Sequence, residues 1–172
     1  MSARTIIKEK ASVVYATRND LPKEVRSSVI EVVDARLADS VDLQTQMKQA
    51  HWNVKGPNFI SLHKLFDEIN EDVEEYVDLL AERVVQLGGI AHGTARQAAA
   101  HSTLVEYPPA RDGHQHVEAV SLALATFGKA VRAAIDQTDR LGDKDTADIF
   151  TEISRGVDKW LWFVEAHLHA ER

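Results

Sequence analysis

The sequence predicts an all-α protein: a four-helix bundle with a short helix in the long connection between helices two and three. Apolar residues recur at helical spacing through four long stretches, and no alternating run is long enough to suggest a strand. Gly56-Pro57, Gly88-Gly89, Pro108-Pro109 and Gly142 divide those stretches.

Asp20, followed by Pro22, reads as a capping residue with proline in the first turn of helix one. Val25, Val29, Val32, Val33, Leu37, Val41, Leu43 and Met47 carry its apolar face toward Val54. Asn58 is placed to cap helix two, whose stripe runs from Phe59 and Leu62 to Leu80 and Val84 before Gly88-Gly89 stops it. Residues 90–112 form the connection, with a short helix expected over Ala95 to Ala100. Helix three fits His114 to Asp139, and helix four, capped by Asp143 or Asp145, runs to about His167.

Residues 1–18 read as a basic, mobile N-terminal arm and residues 19–172 as the bundle. Arg4, Lys8, Lys10 and Arg18 against Glu9 give the arm +3, so a chain of net charge −7 leaves −10 on its body. That acidity argues against a generic nucleic-acid binder and suits a surface that attracts cations. With 172 residues, 44% of them apolar, the chain has enough material for one domain with a real core. It has no cysteine, which excludes disulfides, thiol catalysis and thiolate metal sites. Met1 to Lys10 is charged and has no apolar core, so no signal peptide or membrane span is expected, and the location expected is cytoplasmic.

The chemistry is concentrated on helix two. At about 100° per residue, His63, Asp67, Asp78 and Glu82 fall at roughly 0°, 40°, 60° and 100° on one stripe. They form two pairs of metal-type side chains, each at i,i+4. The pairs lie about 16 Å apart along the helix, too far to share an ion. They are, however, nearly symmetric about Asp72 and Val73. A second copy laid antiparallel across a two-fold axis there sets His63 and Asp67 of one chain against Glu82 and Asp78 of the other. Two equivalent sites then form, and only in the dimer. His51, at the end of helix one, offers a third ligand beside the turn into helix two. Imidazole with carboxylate suits iron(II), and zinc would bind the same set. Bundles that hold two irons within one chain use Glu-x-x-His motifs, and this sequence has none on a predicted helix. Taken singly, each acid is more ordinarily a solvated surface charge, and His63 with Asp67 an ion pair.

Lys48-Gln49-Ala50-His51-Trp52-Asn53, Gly56-Pro57-Asn58-Phe59-Ile60, Ala81-Glu82-Arg83 and Gln86-Leu87-Gly88-Gly89 lie around these ligands. With Asp158-Lys159-Trp160-Leu161-Trp162-Phe163 in the last helix, the pattern resembles the Dps family, the mini-ferritins named for DNA binding in starved cells. The similarity extends over nearly the whole chain. It implies a ferritin-like four-helix bundle assembled as a hollow homododecamer. It also implies ferroxidase sites of two irons each at the two-fold interfaces, with His51, His63 and Asp67 from one subunit and Asp78 and Glu82 from its partner. Iron(II) would be oxidised there, preferably by hydrogen peroxide, and stored as ferric mineral. Trp52 is either a core aromatic or an electron source for a stray oxidising equivalent at that site.

The family also implies an acidic iron-entry pore at a three-fold axis. The candidates are Asp148 and Asp143, then Asp145, with Lys144 weakening the ring and helix capping as the plainer role for at least one of them. Non-specific DNA binding, and with it nucleoid association, would rest on Arg4, Lys8, Lys10 and Arg18. The alternative function is an architectural nucleoid protein with iron oxidation secondary. Glu71 and Glu74 crowd the ligand face with like charge, either as extra iron ligands or transit sites or, more plainly, as partners of Lys64 or Arg83. His114, His116, His167 and His169 read as ordinary surface histidines, and His92 and His101 carry no motif.

Overall fold

A computed structural model describes residues 15–169 as five helices, with no strand among the described residues. They are α1 (Lys23–Asn53), α2 (Phe59–Gln86), α3 (Ala95–His101), α4 (Gly113–Arg140) and α5 (Lys144–Ala166). α1 packs on α2 and α4 on α5, and α1–α4 and α2–α5 contacts close the ring, while the short α3 lies on α1. The expected bundle with its long connection is what forms. Phe66, Phe127 and Phe150 fill the centre with Leu37, Leu43, Met47 and Leu124, all fully buried.

Glycine closes two of the long helices at their C-termini. Gly88 (φ +88°) and Gly142 (φ +85°) take the left-handed conformation that glycine tolerates best. Each builds the same double closure. Gly88 N–H donates to Val85 O and Gly89 N–H to Val84 O; Gly142 N–H donates to Asp139 O and Asp143 N–H to Thr138 O. Asp112 and Asp143 cap α4 and α5 through their side chains. The other two expected caps differ. α1 starts with Pro22 itself at the cap position, and Asn19 turns the preceding chain by accepting from Leu21 N–H. Asn58 makes no side-chain cap, because its backbone (φ −96°, ψ 17°) is not the extended one that aims a cap oxygen at the first turn.

The long connection is strapped to α1 by three aspartates. Asp34 accepts from His92 at two points, through backbone N–H (3.2 Å) and Nδ1 (2.6 Å). Asp39, with no solvent exposure, accepts from Thr103 N–H (2.6 Å) and Oγ1 (3.1 Å) and pairs with Arg36 (2.8 Å). Asp42 takes Ser102 Oγ at 2.6 Å. Asp39→Ala should strand Thr103 N–H and cost about 2–3 kcal/mol, lowering Tm by about 5–10 °C in thermal unfolding. A Tm unchanged to within about 1 °C would mean that water replaces the strap.

At its far end the connection is held by Tyr107, whose hydroxyl lies 2.7 Å from Nδ1 of His116. His116 is therefore not the surface residue the sequence suggests; only 1% of it is exposed, because the connection folds over it. His114 does stay exposed, with Glu118 at 3.4 Å. Burial holds His116 below its ordinary 6.5, with the charge of Lys55 adding and the Asn53 backbone and Asp112 opposing. As pH falls below 6.5 the unfolded chain takes up a proton that the folded chain refuses, so stability present above 6.5 is lost toward acid. His116→Gln, which keeps a partner for Tyr107, should flatten that part of the stability–pH curve. Equal slopes for the two proteins between pH 6.5 and about 5 would contradict this assignment.

Candidate metal centre

The α1–α2 turn, with Gly56 at φ +110°, brings the end of α1 back against the start of α2. His51 and His63 then face each other, rings stacked with centroids 3.7 Å apart. Each imidazole binds the other residue's backbone. His51 Nδ1 lies 2.7 Å from His63 O, and His63 Nδ1 lies 2.9 Å from His51 O. A carbonyl oxygen can only accept, so both Nδ1 atoms carry the proton and donate. With Nδ1 so engaged, Nε2 is the nitrogen left to bind a metal, and the backbone fixes the orientation of each ring.

Asp67 lies one turn along α2, its oxygen 3.8 Å from His51 Nδ1. Its nearest partner is Lys48 Nζ at 2.6 Å. That hydrogen bond holds the Asp67 carboxyl below its ordinary range, with the histidines contributing and burial opposing. An ion reaching Asp67 must therefore share it with Lys48 or displace the ammonium. Lys48 belongs to this centre, although its residue type did not mark it out in the sequence.

One chain thus gathers His51, His63 and Asp67 and stops there. Asp78 and Glu82 lie farther along α2, both exposed. Among the described residues, no three of His, Asp and Glu enclose an ion within the chain. Glu71 and Glu74 are also exposed, without an ion pair among the described residues. Arg83 cannot neutralise them because it points inward to Asp143 at 2.8 Å. Trp52 is 67% exposed, so it is not a core aromatic of this chain. It lines a cleft of about 700 Å³ with Lys48, Asn70 and Tyr107. The Asn70 Oδ1 atom is buried there without a partner.

Of the pore candidates, Asp145 and Asp148 are exposed on the first turns of α5. Asp143 is not available as one. It is 2% exposed, caps α5 through Thr146 N–H, and holds Arg83 with both oxygens. Burial raises its pKa, but Thr146 and Arg83 outweigh that and hold it below the ordinary carboxylate value. Lys144, the cation expected among these aspartates, pairs with Asp139 at the end of α4. Arg18 is exposed, whereas Arg4, Lys8 and Lys10 lie outside the described residues.

The ferritin-like domain model matches residues 30–172. The DNA protection during starvation protein of Agrobacterium fabrum is 43% identical over 155 residues, 90% of this chain and 96% of that protein. The protein of the same name from Mycolicibacterium smegmatis is 33% identical over 84% of this chain and 79% of its own. Among solved structures, Mycobacterium smegmatis Dps in its tetragonal form aligns with a TM-score of 0.87 at 30% identity, covering 92% of this chain and 96% of that one. Dps from Staphylococcus aureus aligns at 0.79 with 32% identity, covering 83% and 96%.

Proposed function

Because the chain belongs to the Dps family of ferritin-like proteins, we propose that it is a ferroxidase and iron store whose oxidation sites are shared between subunits. One observation carries this reading. The backbone-oriented pair His51 and His63, with Asp67, makes half a metal site. Its complement, Asp78 and Glu82, sits on the same stripe of α2 at the spacing that a two-fold axis near Asp72 and Val73 requires. Each site takes two iron(II) ions as substrate. The imidazoles of His51 and His63 would bind the divalent ion, and the carboxylates of Asp67, Asp78 and Glu82 would favour the harder trivalent product. Zinc is the expected competitor.

The two irons match a two-electron oxidant. Two iron(II) ions, one hydrogen peroxide and two protons give two iron(III) ions and two waters, so no one-electron fragment is released. Trp52, beside His51 and exposed, is positioned to reduce a stray oxidising equivalent. Twelve copies form a hollow shell, and the exposed Asp145 and Asp148, repeated about a three-fold axis, focus a negative potential that draws iron(II) in. The test is an anaerobic titration of iron(II)-loaded protein with peroxide. Oxidation should end at about two iron(II) per peroxide with little hydroxyl radical trapped. Abundant radical, or one iron(II) per peroxide, would remove the paired site.

DNA protection is the second reading. It is supported by the names of the relatives from Agrobacterium fabrum and Mycolicibacterium smegmatis and by the basic arm with Arg4, Lys8, Lys10 and Arg18. The location that follows is cytoplasmic and nucleoid-associated. No described helix is long and apolar enough to cross a membrane.

A further inference from the structure

We propose that Arg83 is a positioning residue for the oxidation site: its buried pairing with Asp143 fixes the rotation of the last turns of α2, and so the place where Asp78 and Glu82 meet a partner copy. The inference rests on the intersubunit reading of the site. Arg83 directly follows Glu82 in the chain but points the other way, into the α2–α5 contact, where it is 6% exposed. Its Nη2 donates to both oxygens of Asp143, at 2.8 and 3.0 Å, and its Nε donates to Thr146 Oγ1 at 2.8 Å. Thr146 closes the triangle. Its hydroxyl donates to Asp143 Oδ2 at 2.6 Å and its N–H to Oδ1 at 3.0 Å. The guanidinium is thus clamped at three points to the capped start of α5.

A buried ion pair is a poor way to obtain stability alone, since well-packed apolar residues in its place are often neutral or better. What a planar, forked contact supplies is direction. Direction matters at this end of α2 because Glu82 is exposed and reaches its partner only through the helix that carries it. A carboxylate stands about 5–6 Å from a helix axis, so turning the last turns by about 10° moves it about 1 Å. Metal ligation tolerates only a few tenths of an ångström. Two further bonds hold the same end of α2: Arg26 Nη1 donates to Leu87 O at 2.8 Å, and Tyr15 N–H to Gly88 O at 2.6 Å. They fix where the helix ends. Arg83, four residues earlier than Leu87, fixes how it is turned.

The experiment uses the full chain and cobalt(II) as a redox-silent probe, with affinity and visible absorption band measured well below Tm. Asp143→Asn keeps a capping oxygen for Thr146 but removes the charge; Arg83→Lys keeps the charge but removes the fork. Both should assemble as wild type does, yet bind cobalt(II) about tenfold or more weakly, with a shifted absorption band. Asp39→Ala lies about 18 Å from His51 along α1 and should lower Tm without moving the cobalt band. Wild-type affinity and band in both variants would overturn the proposal. So would failure of both to assemble, because the pair would then be scaffold only. Glu82→Ala separates the two ideas: if it binds cobalt(II) as wild type does, the intersubunit site itself is wrong.

Discussion

Co-expression of two inactive variants should restore iron oxidation. The first, His63→Ala with Asp67→Ala, lacks the half-site that one chain assembles. The second, Asp78→Ala with Glu82→Ala, lacks the half-site that one chain leaves exposed. Each alone should oxidise iron(II) at least about 100-fold more slowly than wild type, because neither shell contains a complete site. In a mixed dimer the second variant's intact His63 and Asp67 meet the first variant's intact Asp78 and Glu82. One of the two sites is then whole and the other is doubly broken. Random pairing makes about half the dimers mixed, so the rate should recover to about a quarter of wild type. Peroxide-driven iron oxidation followed by absorbance reads this directly. All four positions sit on the outer stripe of α2 or against the α1 turn, away from the Phe66, Phe127 and Phe150 core, so the variants should fold. A mixture as inactive as its components would place the site inside one chain or elsewhere.

That test depends on a pattern the sequence carries openly, for a physical reason. Position along a helix translates directly into angle and rise, so the stripe through His63, Asp67, Asp78 and Glu82 needs no knowledge of packing. The glycine helix stops are legible on the same grounds: Gly88 and Gly142 supply a backbone conformation that few other residues tolerate. What the sequence hides depends on contacts between distant segments. Asp143 carries the same carboxylate as Asp148 and stands near it in the chain. It is held inside the bundle, where Arg83, 60 residues away, reaches it and Thr146 takes its cap. Arg83 does leave a faint trace, since it falls well away from the ligand stripe, on the line of α2 that carries Leu65 and Tyr76. His116 was unreadable for a similar reason: its burial comes from Tyr107 and the folded-back connection, which has no periodicity to reveal its path. Lys48 was visible as a charge but not as a partner of Asp67, because the turn that brings them together joins two helices.

Retardation of DNA should collapse when the arm loses its charge, while iron oxidation continues. Arg4, Lys8, Lys10 and Arg18 give the arm its net +3 against a body of −10, so a single arm binds a polyanion weakly. Several arms of one shell on the same duplex convert weak contacts into retention by raising the effective concentration of each next contact. The arm's sequence carries no motif for reading base edges, so its contacts should be to phosphate and sequence preference should be slight. Two or three engaged arms make about 6–10 phosphate contacts, and affinity should fall about 10³–10⁵-fold between about 50 and 200 mM salt. The variant to use replaces all four basic residues with Gln rather than deleting the segment. Tyr15 N–H donates to Gly88 O at the end of α2, and a deletion through residue 18 would disturb that anchor and the helix that carries Glu82. The quadruple variant should leave DNA unshifted at low salt and oxidise iron(II) at the wild-type rate. If it still shifts DNA, another surface of the shell does the binding. If the wild-type protein shifts none even at about 20 mM salt, where the Debye length exceeds 20 Å, the acidic body outweighs the arms and the protein acts on iron and peroxide alone.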